Sequence, residues 1–150
     1  MIKLLVVHGP NLNLLGQRQK NIYGEKPLSF VNEKIKEEAF KKDVLLEIFQ
    51  SNSEGDIIDF IQSQQKESSG LLINPAGYSH TSVSIYDALL AYEKPVVEVH
   101  LSNLLKRETF RKRLLTAQAC CGVISGFGWR SYILGLNALI GLVQKAEKHD

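Results

Sequence analysis

Five short runs of apolar and β-branched residues recur along this chain, and between them apolar residues return every three to four positions. The runs are Ile2–His8, Val44–Gln50, Gly70–Asn74, Pro95–His100 and Gly122–Ser125. They are apolar at successive positions, the pattern of strands covered on both sides, as in a parallel sheet. The intervening stretches predict helices. Within Phe30–Lys42, Val31, Ile35 and Ala39 fall at i, i+4 and i+8, with Ser29 as the expected N-cap. Glu54–Glu67 carries Ile57, Ile58 and Ile61, and Thr81–Tyr92 carries Ile85, Ala88 and Leu89. Glu108–Ala117 is a weaker pattern with Phe110, Leu114 and Leu115, and Trp129–Lys148 is the longest.

Strand–helix alternation of this kind, with right-handed crossovers, leaves few topologies. The predicted fold is α/β: a flavodoxin-like, doubly wound, five-stranded parallel sheet with helices on both faces. No repeat or linker interrupts the pattern, so residues 1–150 read as a single catalytic domain. In the last helix, Ile133, Leu134, Leu136, Leu139, Ile140, Leu142 and Val143 spread around most of the circumference. Such a helix is covered on a second side, either by another subunit or by the rest of its own chain.

Composition narrows the partners. Lys and Arg number 18 against 16 Asp and Glu, a net charge of +2. That balance points away from nucleic acid and from an anionic membrane surface. No apolar run approaches the roughly 20 residues of a membrane span, and the N-terminus lacks the features of a signal peptide. Cys120 and Cys121 are neighbours that rarely pair without strain, and reduced, packed thiols fit a cytoplasmic location.

In open α/β sheets, ligands bind beyond the carboxyl ends of the strands. Those ends are polar here: Asn11 through Tyr23 after the first run, Gln50–Ser53 after the second, Asn74 through Ser82 after the third, and Glu98 through Asn103 around the fourth. The first loop, about 16 residues against the usual 2–6, is long enough to act as a lid. Ser51, Thr81 and Ser102 each have two readings, as helix caps or as ligand contacts. Asn11 and Asn74 also suit purely structural turns. His100 ends a strand where a proton-transfer group would be useful, and His80 is a weaker candidate. Arg107 and Arg111 follow at i, i+4, from where an arginine could reach a carboxylate.

Other chemistries lack their residues. Gly126-Phe127-Gly128 begins a dinucleotide fingerprint but lacks its final glycine, and no phosphate-binding P-loop exists. Gly77-Tyr78-Ser79-His80-Thr81 only faintly suggests a nucleophile elbow. No His or acidic pair has zinc-site spacing, and the lysines fall in loops and on polar faces, unsuited to imine chemistry. Acid–base catalysis on a small anion remains, with no metal and no cofactor. Within enzymes the rival is another cofactor-free lyase or isomerase on a hydroxy acid; from a different class it is a binding module holding the same anion without turnover, which parts from catalysis on whether Tyr23 and His100 share one pocket.

Three motifs together carry a resemblance. Gly9-Pro10-Asn11-Leu12-Asn13-Leu14-Leu15-Gly16 with Arg18 and Tyr23-Gly24 is the first. Asn74-Pro75-Ala76-Gly77-Tyr78-Ser79-His80-Thr81-Ser82 with Asp87 is the second. Glu98-Val99-His100-Leu101-Ser102-Asn103 with Arg107 and Arg111 is the third. In order and spacing they resemble type II 3-dehydroquinate dehydratase nearly end to end. The resemblance implies loss of water from 3-dehydroquinate to give 3-dehydroshikimate through an enolate, in the shikimate pathway or in quinate breakdown. It implies Tyr23 as general base, His100 as general acid, Arg18 as the lid arginine, Asn11 near the enolate and Glu98 supporting His100. It implies substrate contacts from Asn74, His80, Asp87, Leu101, Ser102 and Arg111, and a homododecamer built as a tetramer of trimers. The chain departs from the family pattern at His8, where Asn is common, and at Arg18-Gln19-Lys20, where a proline usually follows. It also lacks the His-Ser often seen after Arg111. A base tyrosine has a physical requirement: at an ordinary pKa of about 10 only about one in a thousand is ionised at pH 7, so about 4 kcal/mol must favour the phenolate. A nearby guanidinium is the group to supply it.

Overall fold

The structure, a computed structural model, describes residues 1–149. Strands β1 (Lys3–His8), β2 (Leu45–Gln50), β3 (Gly70–Asn74), β4 (Val96–His100) and β5 (Gly122–Ser125) form one all-parallel sheet in the order β2-β1-β3-β4-β5. This is the doubly wound arrangement expected from the alternation. The chain moves outward from β1 to β2 and then crosses back to β3, so a crevice opens between the carboxyl ends of β1 and β3. Pairing sets Gln50, His8 and Asn74 side by side along that edge, and His100 beside Ser125.

Among the described residues, five α-helices accompany the sheet: α1 (Lys20–Tyr23), α2 (Leu28–Lys41), α3 (Glu54–Gln64), α4 (Val83–Tyr92) and α5 (Arg130–His149). Alternate strand residues supply two cores, as a period of two requires. Leu4, Val6, Leu72, Val97 and Val99 pack on the side of α2 and α5, and Leu5, Val7, Leu71, Ile73 and Val96 on the side of α3 and α4. Gly135 lets α5 press onto the sheet: a Cβ there would stand 2.5 Å from Val99 Cγ1 and 2.9 Å from Leu72 Cδ1. The apolar spread of α5 meets the sheet and α2 together, which leaves Leu134 exposed at its outer edge.

Some local expectations need correction. Glu108–Ala117 is not an α-helix but two 3-10 turns, Thr109–Lys112 and Thr116–Ala119. The Leu115 amide donates to the Ser79 carbonyl and the Thr116 hydroxyl to Glu98, tying this segment to the strand ends, while Phe110 remains exposed. Ser29 lies inside α2, whose N-cap is Pro27. The caps of α3 and α4 are Ser53 and Ser82, which accept from the amides of Asp56 and Ile85, rather than Ser51 or Thr81. No helix among the described residues is long and apolar enough to cross a membrane.

Candidate active site

A cavity of about 200 Å³ opens beyond the carboxyl ends of β1, β3 and β4. Its most rigid wall comes from β4. Glu98 and His100 are two residues apart on one strand, so their side chains leave the same face. The Glu98 carboxylate is wholly buried and accepts three hydrogen bonds: from His100 Nε2 at 2.7 Å, Ser79 Oγ at 2.8 Å and Thr116 Oγ1 at 2.5 Å. Charge-assisted bonds from three directions are what make a buried carboxylate tolerable. An ionised carboxylate can only accept, so His100 Nε2 carries a proton and Nδ1 is the nitrogen left to exchange one. His80 sits with its ring centroid 6.3 Å from that of His100, and its Nδ1 donates to the Arg113 carbonyl at 2.8 Å. Burial is the main reason His80 titrates below its ordinary value; the bond to Arg113 opposes this, and the charges of His100 and Arg111 add to it.

The opposite wall is the long loop after β1. It begins at Gly9, whose backbone lies against the loop after β3. A Cβ there would stand 2.6 Å from the Pro75 carbonyl oxygen. Asn11 adopts a left-handed conformation, φ 69°, which asparagine tolerates better than most residues. Its amide donates to Asn52 Oδ1 at 3.0 Å, and Gln50 Nε2 donates to the Gly9 carbonyl at 3.2 Å, so the end of β2 braces the loop. Farther on, the short helix α1 turns Tyr23 back over the cavity between two positive-φ residues, Gln19 and Gly24. Arg107 Nη1 donates to the Tyr23 hydroxyl at 2.8 Å and to Ser102 Oγ at 3.3 Å. The Arg18 guanidinium stands 4.7 Å from the Tyr23 ring centroid and that of Arg107 stands 4.9 Å from it.

Asn11, Arg18, Tyr23, Asn74, His80, His100, Leu101, Ser102 and Arg111 all line this cavity, and Glu98 lies directly behind His100. Asp87 does not join them. It is exposed on the outer face of α4 with Val83 and Leu90, because Ile85, Ala88 and Leu89 occupy the face turned to the core. Arg107 is the contact to Tyr23 that the motif reading left without a role, although its i, i+4 spacing to Arg111 marked it. Ser79 and Thr116 carried no local signal; they reach Glu98 from 19 and 18 residues away. Arg111 meanwhile is held at 2.5 Å from Glu108, which keeps that carboxyl below its ordinary range. Among the described residues, no group of three or more His, Cys, Asp or Glu is placed to hold a metal ion.

The cavity can do acid–base chemistry on an anion. Its lining includes the guanidiniums of Arg18, Arg107 and Arg111 and no carboxylate, with a phenol and an imidazole facing the same space. Known proteins share this frame. The model of the family described as dehydroquinase class II matches residues 2–140. The 3-dehydroquinate dehydratase of Thermoanaerobacter pseudethanolicus is 49% identical over 139 residues, covering 93% of this chain and 94% of that protein. That of Caldanaerobacter subterraneus is 50% identical with the same coverage. The crystal structure of the type II dehydroquinase from Butyrivibrio crossotus superposes with a TM-score of 0.91 at 42% identity, covering 93% of this chain and 97% of that one. On this match, which spans nearly its whole length, the chain belongs to the class II dehydroquinase family.

Proposed function

We propose that this chain dehydrates 3-dehydroquinate to 3-dehydroshikimate, with Tyr23 as general base and His100 as general acid. Membership in the family makes it a hydro-lyase, and its relatives are 3-dehydroquinate dehydratases. The observation that carries the residue assignment is that Tyr23 and His100 line one cavity together with three guanidiniums. A pure binding module needs the positive charge but not a phenol and an imidazole facing a common space.

In this reading the substrate carboxylate is held by the cationic lining, with Arg111 read as its partner. The Tyr23 phenolate takes the proton from the carbon beside the ketone. The C–H electron pair moves toward the carbonyl oxygen as an enolate, for which Asn11 is the neighbouring polar group. The guanidiniums of Arg18 and Arg107, 4.7 and 4.9 Å from the Tyr23 ring centroid, are the positive charges that face the phenolate in this reading. The enolate electrons then return and expel the hydroxyl group, which takes a proton from His100 Nδ1 and leaves as water. Glu98 stabilises the imidazolium that precedes this step and fixes its orientation. His80, Asn74, Leu101 and Ser102 are read as substrate contacts.

The assembly is read as a homododecamer of trimers. Val83 and Leu90 on α4 and Leu105 and Phe110 in the β4–β5 connection are exposed apolar side chains of the kind subunit contacts cover. Asp87 shares that outer face of α4, so in such an assembly its substrate contact would be made in a neighbouring copy's cavity.

Purified protein mixed with 3-dehydroquinate and followed by the ultraviolet absorbance of the conjugated enone tests the reaction directly. Product formation is expected; folded protein that forms none would remove the assignment. Light scattering reads the assembly, and a monomer in solution would overturn the dodecamer.

A further inference from the structure

Glu98 sits between two strands, pairing in register with Ile73 of β3 and Val123 of β5. A hydroxyl reaches it from the chain beside each of them. Ser79 comes from the 3-10 turn Ala76–His80 that follows β3, and Thr116 opens the turn Thr116–Ala119 that precedes β5. Ser79, Thr116 and Glu98 are all wholly buried. The backbone joins the same two turns, because the Leu115 amide donates to the Ser79 carbonyl at 2.8 Å.

The positions of the protons follow from the donors available. Ser79 Oγ and His100 Nε2 both donate to Glu98 Oε2, whereas Oε1 has Thr116 Oγ1 as its donor. Each hydroxyl has one proton, and an ionised carboxylate can only accept. Both protons therefore go to Glu98, and neither is left for the 3.3 Å separation between Thr116 Oγ1 and Ser79 Oγ. Without the Thr116 hydroxyl, Oε1 would be a buried carboxylate oxygen with no donor. Such an atom is costly, and the cost is relieved when the carboxyl takes up a proton. A neutral carboxyl no longer supplies the negative charge that favours a protonated imidazole beside it.

We infer that Thr116 and Ser79 are positioning residues for the general acid: their two hydroxyls hold Glu98 as the anion that keeps His100 protonated and oriented. The inference rests on the reading that His100 protonates the departing hydroxyl. Neither Thr116 nor Ser79 lines the cavity, so their effect on the reaction passes through Glu98 to His100. It falls on the chemical step and leaves substrate binding in place.

Steady-state kinetics of the full chain on 3-dehydroquinate tests this. Thr116→Val keeps the shape of the side chain and deletes the hydroxyl, and Thr116→Ser keeps the hydroxyl. Thr116→Val is expected to lower kcat about tenfold with KM within about twofold of wild type, and Thr116→Ser to recover kcat to within about threefold. In a Glu98→Gln background, where there is no charge left to hold, Thr116→Val is expected to change kcat by no more than about twofold. A folded Thr116→Val protein with kcat within about threefold of wild type would overturn the inference. So would a loss confined to KM, a loss as large in Thr116→Ser, or a tenfold loss that persists in Glu98→Gln. Should Thr116→Val or the double variant fail to fold, Ser79→Ala is measured instead. A fall in kcat of about threefold or more at unchanged KM would support the inference, and a smaller one would overturn it. A wild-type protein inactive on 3-dehydroquinate would remove the reaction itself, whereas an active wild type beside a fully active Thr116→Val removes this inference alone.

Discussion

The two walls of the active site are built in opposite ways. His100 stands on an interior strand, and the carboxylate behind it is closed in by Ser79 and Thr116. Tyr23 stands on a four-residue helix in a long loop, and its hydroxyl is held by Arg107 from 84 residues away. The position of His100 is thus fixed by the same burial that stabilises the fold. The position of Tyr23 depends instead on a loop and on the contact from Arg107. Changes on the β4 side should therefore move stability and activity together, and changes on the loop side should move activity alone.

The largest expected effect tests that division outright. Tyr23→Phe should lower kcat by about a thousandfold, within the range for loss of a general base, with the thermal midpoint unchanged. Glu98→Gln should lower both, because the amide cannot accept from His100, Ser79 and Thr116 as the carboxylate does. Steady-state kinetics beside thermal unfolding reads the pair, and a Tyr23→Phe protein that unfolds early would break the distinction. The next effect is a pH dependence of stability on the sheet side. His8 stays neutral in the folded chain down to pH about 4, whereas unfolded histidine takes a proton near pH 6.5. Between those values the unfolded state binds more protons, so stability falls as pH falls, by about 3 kcal/mol in all. Urea unfolding from pH 7 to pH 4.5 measures it, and His8→Gln should flatten the curve; an unchanged slope in that variant would assign the loss to other groups. Gly135→Ala should then cost about 2 kcal/mol, since its Cβ would collide with Val99 and Leu72 beneath the β4 wall. The smallest effect is at the contact that reaches from the β4–β5 connection to Tyr23 on the loop. Arg107→Ala should reduce kcat about tenfold, a change of about 1.4 kcal/mol, with no loss of thermal stability and partial recovery in Arg107→Lys. Full activity in Arg107→Ala would leave Arg18 as the cation that matters.

Much of the frame was legible because it is periodic. Leu4 and Val6 alternate with Leu5 and Val7, and that alternation alone divides the core between the two helix layers. The strand ends could be read for the same reason: where the apolar run stops, the polar residues that follow must lie at the rim of a parallel sheet. The segment Glu108–Ala117 misled because its apolar residues suit a helix, while two long-range hydrogen bonds, from Leu115 and Thr116, pull it into separate turns. Asp87 shows the limit of motif matching within one chain. Its place in the motif is intact, but the periodicity of α4 points it away from this cavity.

By itself, the sequence determined the strand order class, the two-layer core and the set of polar groups at the strand ends, since local periodicity and chain connectivity suffice for these. Tertiary structure decided which groups meet. The joining of Tyr23 to Arg107, of Glu98 to Ser79 and Thr116, and of His8 to Tyr132 and Asn32 each bridges distant parts of the chain. A hydrogen bond depends on distance and direction to within a fraction of an ångström. Those quantities exist only once the sheet, α5 and the loop after β1 have packed against one another.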